Sequence, residues 1–221
     1  MKRELRETAD GSMTIYIPEL DEHYHSYHGA IQEANHVFIV NGIQRFQTKD
    51  TISVFELGLG TGLNALLTAV WAEKNKQKVN YFGLEAFPVE QKLNFELKYD
   101  SLITDKKCDV IFSKIILAPW NEKTEITSTF SLHKYQSKIQ TLQLDQKFDI
   151  IYYDAFGPRA QEEMWNFEII KKVIAMLNPD GLFVTYCAKG QLRRDLKTLG
   201  LAVEIIPGPP GKREMTTAWN I

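Results

Sequence analysis

A short glycine-rich stretch directly after an apolar strand is the feature that most limits how this chain can fold. Residues 52–57 form a compact apolar run that predicts a strand, and three glycines at alternate positions follow at 58–62. Apolar residues at helical spacing then predict a helix over 63–74. Glycines let the backbone turn sharply and approach a ligand without a Cβ in the way. This order of strand, loop and helix indicates the start of a ligand-binding α/β sheet.

Strands and helices go on alternating to the end of the chain. Further strands are predicted at 79–84, 110–117, 130–134, 148–153 and 182–187, and helices at 88–99, 162–177 and 191–199. A turn is predicted at 178–181, and Gly200 is expected to cap the last helix. The closing strands at 203–206 and 215–219 have no helix between them, which predicts an antiparallel edge. The expected fold class is α/β, a Rossmann-like, mostly parallel, doubly wound sheet.

The N-terminal part of the chain has a different character. Residues 1–50 are a polar lead-in that we expect to pack over the ligand crevice, and residues 51–221 form the main domain. Strands are predicted at 13–18 and 37–40, with a short helical pattern through Glu33 between them.

Three histidines of the lead-in, His23, His25 and His28, raise the question of a metal site. Their spacing matches no structural zinc pattern and cysteine partners are lacking, so we expect no bound metal. Tyr24 and Glu33 are instead candidate contacts to a cofactor or substrate in the crevice.

Composition narrows the class of protein. The chain has 26 Lys and Arg against 28 Asp and Glu, which excludes a protein coated in positive charge but not a local basic patch. Its two cysteines are far apart, which argues against a disulfide framework. The sequence contains no long apolar run and no signal peptide, so we expect a cytoplasmic protein with no membrane partner.

Ligands of open α/β sheets bind at the carboxyl ends of the strands. The first such end carries the segment 56–64, whose glycine spacing is not the dinucleotide fingerprint. The carboxylate of Glu56 would repel a pyrophosphate, but it could bond the ammonium group of an amino acid. The candidate cofactor-binding residues here are Glu56, Gly58, Gly60, Thr61, Gly62 and Asn64.

The second strand end carries Glu85, followed by Ala86. An acidic side chain at this position is suited to accept both hydroxyl groups of a ribose. Together with the glycine-rich residues 58–62, which we call the glycine loop, Glu85 indicates a ligand that is a nucleoside with an aminoacyl tail and no phosphates. S-adenosylmethionine fits that description, with its ribose at Glu85.

The third strand end carries Asp154, at the start of Asp-Ala-Phe-Gly-Pro. Methyl transfer from a sulfonium to an amine is an in-line displacement that needs a neutral, oriented nitrogen. A carboxylate and backbone carbonyls at this end can accept amine hydrogens and stabilise the developing ammonium. Asp154 is therefore the candidate catalytic residue, as a base or as an orienting group. The alternative is that it only caps a turn.

Stretches spread over nearly the whole chain together resemble one known family. They lie at 28–33, 37–38, 56–64, 83–88, 154–158, 164–165, 179–181, 193–194 and 211–215. The most specific are Asp-Ala-Phe-Gly-Pro at 154–158 with Met-Trp at 164–165, and Gly-Lys-Arg-Glu-Met at 211–215. The chain resembles the methyltransferase part of the bacterial bifunctional tRNA 5-methylaminomethyl-2-thiouridine biosynthesis protein. It would be a stand-alone form without the flavin-dependent oxidoreductase domain.

That resemblance implies a class I S-adenosylmethionine-dependent methyltransferase. Its substrate would be the aminomethyl group of 5-aminomethyl-2-thiouridine at the tRNA wobble position. The implied partners are the tRNA anticodon loop and a separate enzyme that supplies the aminomethyl-uridine. Family members carry an Asp before the fourth strand that contacts the adenine, whereas 135–138 contains none here. Ser137 and Gln136 are the remaining candidates.

Charge placement is consistent with a tRNA partner. Six cations and three anions lie between Lys189 and Ile221, although such a run can also be a solvated face. Aromatic and arginine side chains can stack a splayed base, although a tryptophan at a helix start can equally be core. The candidate substrate-binding residues are Phe156, Trp165, Arg193, Arg194, Lys212 and Arg213.

Two rival functions are compatible with the same sequence. One is a small-molecule amine methyltransferase or an aminopropyl transferase on the same fold, which would show catalysis insensitive to salt. The other is a non-catalytic tRNA-binding protein with a decayed cofactor site, which would show no cofactor binding.

Overall fold

Residues 2–105 and 107–221 are described by the computed structural model, so Met1 of the lead-in and Lys106 lie outside the description. The strands are β1 (Glu4–Glu7), β2 (Met13–Ile17), β3 (Glu22–His23), β4 (Thr51–Leu57), β5 (Lys78–Glu85), β6 (Lys123–Glu125), β7 (Phe130–Gln136), β8 (Phe148–Tyr153), β9 (Leu177–Thr185), β10 (Ala202–Pro207) and β11 (Glu214–Trp219). The α-helices are α1 (Ala30–Ala34), α2 (Leu63–Asn75), α3 (Gln91–Glu96), α4 (Cys108–Leu117), α5 (Phe167–Ile174) and α6 (Gly190–Thr198).

The main sheet has the strand order β10-β11-β9-β8-β4-β5-β7-β6. Strands β7, β5, β4, β8 and β9 pair in parallel, while β10, β11 and β6 run antiparallel to their neighbours. The chain winds outward from β4 through β5 to β7 and then returns to β8 on the other side of β4. This reversal opens a crevice at the carboxyl ends of β4 and β8. The expected mostly parallel sheet with an antiparallel C-terminal edge is confirmed.

Alternate residues of the central strands face two separate cores. In β4, Ile52 and Val54 pack into the core under α2 and α4, whereas Phe55 and Leu57 pack into the core under α5 and α6. Because helices cover both faces, β4 places apolar side chains on each of its two faces. The doubly wound arrangement predicted from the sequence is therefore confirmed.

One predicted strand is a helix. Residues 110–117 belong to α4, and its buried residues Cys108, Ile111, Phe112 and Ile115 repeat at three- and four-residue spacing. This spacing places them on one face of a helix, so the strand prediction from the apolar run was wrong.

The strand predicted at 37–40 is also wrong. Asn35–Val40 continues α1 as a π-helix, and a 3₁₀ turn at Ile43–Phe46 follows it. Val37 and Phe38 are buried in the core under α2, which helical continuation makes possible. Packing of this lead-in segment against the main domain outweighs the strand preference of its β-branched residues.

Several predicted boundaries change. The helix predicted at 88–99 is reduced to α3 and a 3₁₀ turn. The helix predicted at 162–177 is divided at Asn166, whose side chain caps α5 by accepting a hydrogen bond from the Ile169 N–H at 3.0 Å. The predicted turn at 178–181 is an irregularity within β9, where the pairing register with β8 shifts. Gly200, with φ +91°, follows α6 in the left-handed region as expected.

The lead-in begins with a small antiparallel sheet of β1, β2 and β3, which confirms the strand predicted at 13–18. Arg3 ties this sheet to the main domain, because its guanidinium donates to the carbonyl oxygens of Phe87 and Pro88 at 2.7 and 3.0 Å. Within residues 2–105 and 107–221, no helix has the length and apolar character needed to cross a membrane.

Asp149 fastens the start of β8 to its surroundings and provides a test of the fold. Its carboxylate accepts hydrogen bonds from the Ser53 N–H at 2.8 Å, the Asn178 amide at 2.8 Å and the Lys49 ammonium. Burial alone would raise the pKa of Asp149, but these hydrogen bonds lower it below its usual value. We expect Asp149→Ala to lower the free energy of unfolding by about 3 kcal/mol at neutral pH, because it strands buried donors.

Urea unfolding followed by circular dichroism measures this loss, with exposed Asp145→Ala as the matched control. A lowered folded-state pKa means that the ionised carboxylate stabilises the fold above the ordinary aspartate pKa. The difference between wild type and Asp149→Ala should therefore shrink as the pH falls below about 4. Equal stability of Asp149→Ala and Asp145→Ala would contradict this role.

Candidate active site

A cavity of about 800 Å³ lies at the carboxyl ends of β4, β5 and β8. The sequence-predicted residues that line it are Gly58, Gly60, Thr61, Asn64, Glu85, Ala86, Asp154, Phe156 and Lys212. Tyr24 and Glu33 of the lead-in line it as well. The three strand ends singled out in the sequence therefore meet in one space.

The glycine loop forms one wall of this cavity. A Cβ on Gly58 would lie 2.4 Å from the carbonyl oxygen of Asp154, and a Cβ on Gly60 would lie 3.2 Å from the Tyr24 ring. Both glycines have positive φ, so a side chain at either position would be strained as well as crowded. Gly62 differs, because it begins α2 in the left-handed region and faces Ile115 rather than the cavity.

Glu85 lies beside this loop with its carboxylate held in place. Its two oxygens accept hydrogen bonds from the backbone N–H groups of Gly60 at 3.0 Å and Phe87 at 2.8 Å. A carboxylate accepts about four hydrogen bonds, so capacity remains for donors on a ligand. The contact of Glu85 with a ribose stays a prediction, for which the carboxylate has acceptor capacity left.

Glu56 does not reach the cavity, which corrects the expectation of a direct contact with a ligand ammonium. The residue is fully buried, and its carboxylate accepts from the Asn64 amide and the Tyr81 hydroxyl, both at 2.8 Å. Burial raises the pKa of Glu56 to about 8, and the nearby charge of Asp154 adds to the increase. The side chain supports the floor of the site rather than lining it.

Asp154 is connected to Glu56 through a single amide. The Nδ2 atom of Asn64 donates to Asp154 Oδ2 at 2.8 Å as well as to Glu56. Burial, followed by the charge of Glu33, raises the pKa of Asp154 to about 7, although the Asn64 hydrogen bond and Lys212 act in the opposite direction. Asp154 is therefore a carboxyl group whose charge changes near neutral pH.

The backbone after Asp154 is fixed by two aromatic side chains. The carbonyl oxygen of Ala155 accepts from the Tyr186 hydroxyl at 2.8 Å, and that of Phe156 accepts from the Trp165 indole at 2.7 Å. These carbonyls were predicted to accept amine hydrogens, but their partners are within the protein. The Asp154 carboxylate lines the cavity beside them.

Trp165 was a candidate wall of the substrate pocket, and the structure corrects this. It is buried, does not line the cavity, and packs against the Tyr153 ring with 4.9 Å between ring centroids. Phe156 and Tyr24 line the cavity and form an edge-to-face contact, with 5.1 Å between ring centroids. Tyr186, which also lines the cavity, was missed. Its position at the end of a predicted strand was the signal available.

Of the two candidates for adenine contact, Ser137 lines the cavity and Gln136 does not. The backbone N–H of Ser137 donates to the carbonyl oxygen of Glu85 at 3.1 Å, which places this segment beside Glu85. Ile139, buried in the core under α5, continues the same wall.

The C-terminal basic residues are distributed unequally. Lys212 enters the cavity, whereas Arg193 pairs with Glu214 at 3.0 Å and its side chain is only 15% exposed. Arg194 is exposed and bonds to Gln191 on its own helix. Arg213 is exposed and lines a shallow groove next to the cavity. The structure therefore does not bring Arg193, Arg194 and Arg213 into the cavity with Lys212.

The histidines of the lead-in have different surroundings. His23 stacks near Tyr16, with ring centroids 4.7 Å apart, and His28 packs against Gly211. His25 is buried beside the Tyr99 hydroxyl, and burial lowers its pKa to about 4. It is therefore neutral at ordinary pH.

Comparisons with known proteins agree with this geometry. Residues 115–221 match the Methyltransf_30 family, described as S-adenosyl-L-methionine-dependent methyltransferase. The crystal structure of MNMC2 from Aquifex aeolicus superposes with a TM-score of 0.75 at 24% identity, covering 98% of this chain and 70% of that one. The chain has the fold of class I methyltransferases, and the family that residues 115–221 match is dependent on S-adenosylmethionine.

Relatives by sequence are more specific. The chain is 26% identical over 217 residues to the tRNA 5-methylaminomethyl-2-thiouridine biosynthesis bifunctional protein MnmC of Burkholderia multivorans, covering 91% of this chain and 33% of the relative. It is 27% identical over 221 residues to MnmC of Cupriavidus metallidurans, covering 93% and 32%. The chain thus spans about a third of the length of these relatives. The resemblance to the methyltransferase part of this family is confirmed.

The buried carboxyl group of Glu56 gives the protein a characteristic pH dependence. Its folded-state pKa lies above that of the unfolded chain, so the protonated group stabilises the fold at low pH. This contribution is lost as the pH rises through about 8. We expect the free energy of unfolding of wild type relative to Glu56→Gln to fall by about 2 kcal/mol between pH 6 and pH 9.

Urea unfolding of both proteins at the two pH values measures this change. Exposed Glu90→Gln is the matched control, for which the difference from wild type should not depend on pH. A pH-independent difference for Glu56→Gln would show that Glu56 is already ionised in the folded protein.

Proposed function

We propose that this protein transfers the methyl group of S-adenosylmethionine to the amine of 5-aminomethyl-2-thiouridine at the wobble position of tRNA. The names of the MnmC relatives support this substrate. The observation that carries the proposal is the position of Asp154. Its carboxylate lies in the cavity between the glycine loop and the aromatic pair of Tyr24 and Phe156.

The residues of the cavity fit the cofactor. Glu85 is placed for the ribose hydroxyls, and Thr61, Asn64 and the glycine loop for the methionine end. The lead-in, with Tyr24 over Gly60, would close the crevice above them. When bound, the cofactor supplies an electrophilic methyl group on a positively charged sulfur. A volume of about 800 Å³ is large for a ligand pocket, which fits the cofactor together with a nucleoside.

In the proposed reaction, Asp154 accepts a hydrogen bond from the substrate amine and directs its lone pair toward the methyl carbon. The amine must be neutral, so the ammonium form first gives up a proton to water, either directly or through Asp154, which returns to the carboxylate. The C–N bond then forms while the C–S bond breaks, and its electron pair stays on sulfur. The product nitrogen carries the positive charge, which the Asp154 carboxylate stabilises.

The base and its tRNA would occupy the outer part of the site. Tyr24 and Phe156 offer ring faces and edges for the uracil. Arg194 and Arg213 are exposed and could contact phosphates around the mouth, which would make binding salt-dependent. A second enzymatic activity would have to supply the primary amine.

The test is methyl transfer from labelled S-adenosylmethionine to tRNA from cells lacking this activity, followed by nucleoside mass analysis. We expect a gain of one methyl group on 5-aminomethyl-2-thiouridine. No transfer to tRNA despite cofactor binding would overturn the proposed substrate. Transfer to small amines would then favour the small-molecule alternative.

We expect Asp154→Asn to lower the methyl-transfer rate about 100-fold, because the amide cannot stabilise the developing ammonium as a carboxylate does. Single-turnover rates with this tRNA measure the effect. Calorimetric titration with S-adenosylhomocysteine checks that the cofactor site persists, and exposed Asp50→Asn is the matched control. Normal turnover in a folded Asp154→Asn enzyme would remove Asp154 from the mechanism.

A further inference from the structure

An ion pair between the lead-in and the C-terminal loop lies in the wall of the cavity. The Nζ atom of Lys212 is 2.6 Å from Glu33 Oε1 and 3.8 Å from the centroid of the Tyr186 ring. Glu33 is only 8% exposed, and its other oxygen accepts from the Ser26 N–H at 2.8 Å. Both charged side chains line the same cavity as Asp154.

The loop that carries Lys212 is closely packed on the lead-in. A Cβ on Gly211 would lie 2.1 Å from the His28 ring, so no side chain fits there. His36 contacts the Pro207 carbonyl oxygen through a ring nitrogen at 2.9 Å. These contacts hold the ammonium of Lys212 toward the cavity.

The charges that face Lys212 can be identified. Glu33 on α1 and Asp154 after β8 are the nearby acids. Tyr186 and Cys187 are neutral, because burial raises the pKa of each side chain.

Titratable groups farther from Lys212 add little to the charge around it. His25 is neutral, because burial lowers its pKa to about 4, and Glu22 pairs with Arg159 at 3.4 Å. Glu56 titrates near pH 8, but it lies behind Asn64. Asp154 responds to both members of the ion pair, since Glu33 raises its pKa and Lys212 lowers it.

We propose that Lys212 is a positioning residue that neutralises Glu33, so that an amine held at Asp154 is not also exposed to the charge of Glu33. The inference rests on the proposed function. Carboxylates near an amine favour its ammonium form, which has no lone pair and cannot attack the methyl group. Lys212 thereby keeps the bound amine nucleophilic while Asp154 orients it.

The test is the pH dependence of the single-turnover methyl-transfer rate at saturating tRNA and cofactor, which reports groups in the bound complex. Lys212→Met leaves Glu33 unpaired and should raise the apparent pKa of the profile by about one. The rate should then be about ten-fold lower than wild type at pH 7.5, and this deficit should shrink toward pH 9.5.

Two further variants separate charge from structure. The double variant Glu33→Gln with Lys212→Met removes both charges and should return the apparent pKa to the wild-type value. Lys212→Arg keeps the cation and should resemble wild type. Exposed Lys78→Met, at the opposite end of β5, is the control for loss of a surface cation and should not change the profile.

The possible outcomes are distinct. If wild type transfers no methyl group to this tRNA, the proposed function fails and the inference fails with it. If wild type is active but Lys212→Met lowers the rate equally at all pH values, only the inference fails. A raised KM for tRNA with a reduced salt dependence and an unchanged apparent pKa would also overturn it and make Lys212 a phosphate contact.

Discussion

The structure of the site depends on one amide group. Both hydrogens of Asn64 Nδ2 are donated, one to Glu56 in β4 and one to Asp154 after β8. These carboxyl groups come from neighbouring strands and would repel each other if both were ionised without a donor between them. Asn64 occupies the first turn of α2, so the glycine loop must turn sharply to bring it there. The hydrogen bonds of the Asn64 amide therefore fix the glycine loop, the start of α2 and the Asp154 carboxylate relative to one another.

The sequence predicted most of the main domain, because its strands are buried on both faces and separated by polar turns. The prediction was wrong where an apolar run is compatible with either a strand or a helix. Residues 110–117 could be a strand, but including Cys108 reveals a helical stripe through Ile111 and Ile115. At 37–40, packing of the lead-in on the main domain decides the conformation, and no local pattern contains that information.

The candidate site was predictable to the extent that it lies at strand ends. Glycine spacing and the positions of Glu85 and Asp154 sufficed to place them in one cavity. The direction of Glu56 was not predictable, because it depends on Tyr81 in the next strand and on Asn64. The pairing of Glu33 with Lys212 joins residues 179 positions apart, so only the folded chain reveals it.

The distribution of charge in the cavity follows the proposed reaction. Before methyl transfer the positive charge is on the sulfur of the cofactor, and afterwards it is on the nitrogen of the product. A site selective for the transition state must stabilise the charge at its destination more than at its origin. In the proposed reaction Asp154 meets the amine directly, whereas Glu33 beside it is paired with Lys212. Because Glu33 is paired with Lys212, the attraction on the amine nitrogen comes from Asp154 rather than from both acids. A second unpaired acid would favour the ammonium form of the amine, which cannot attack the methyl group.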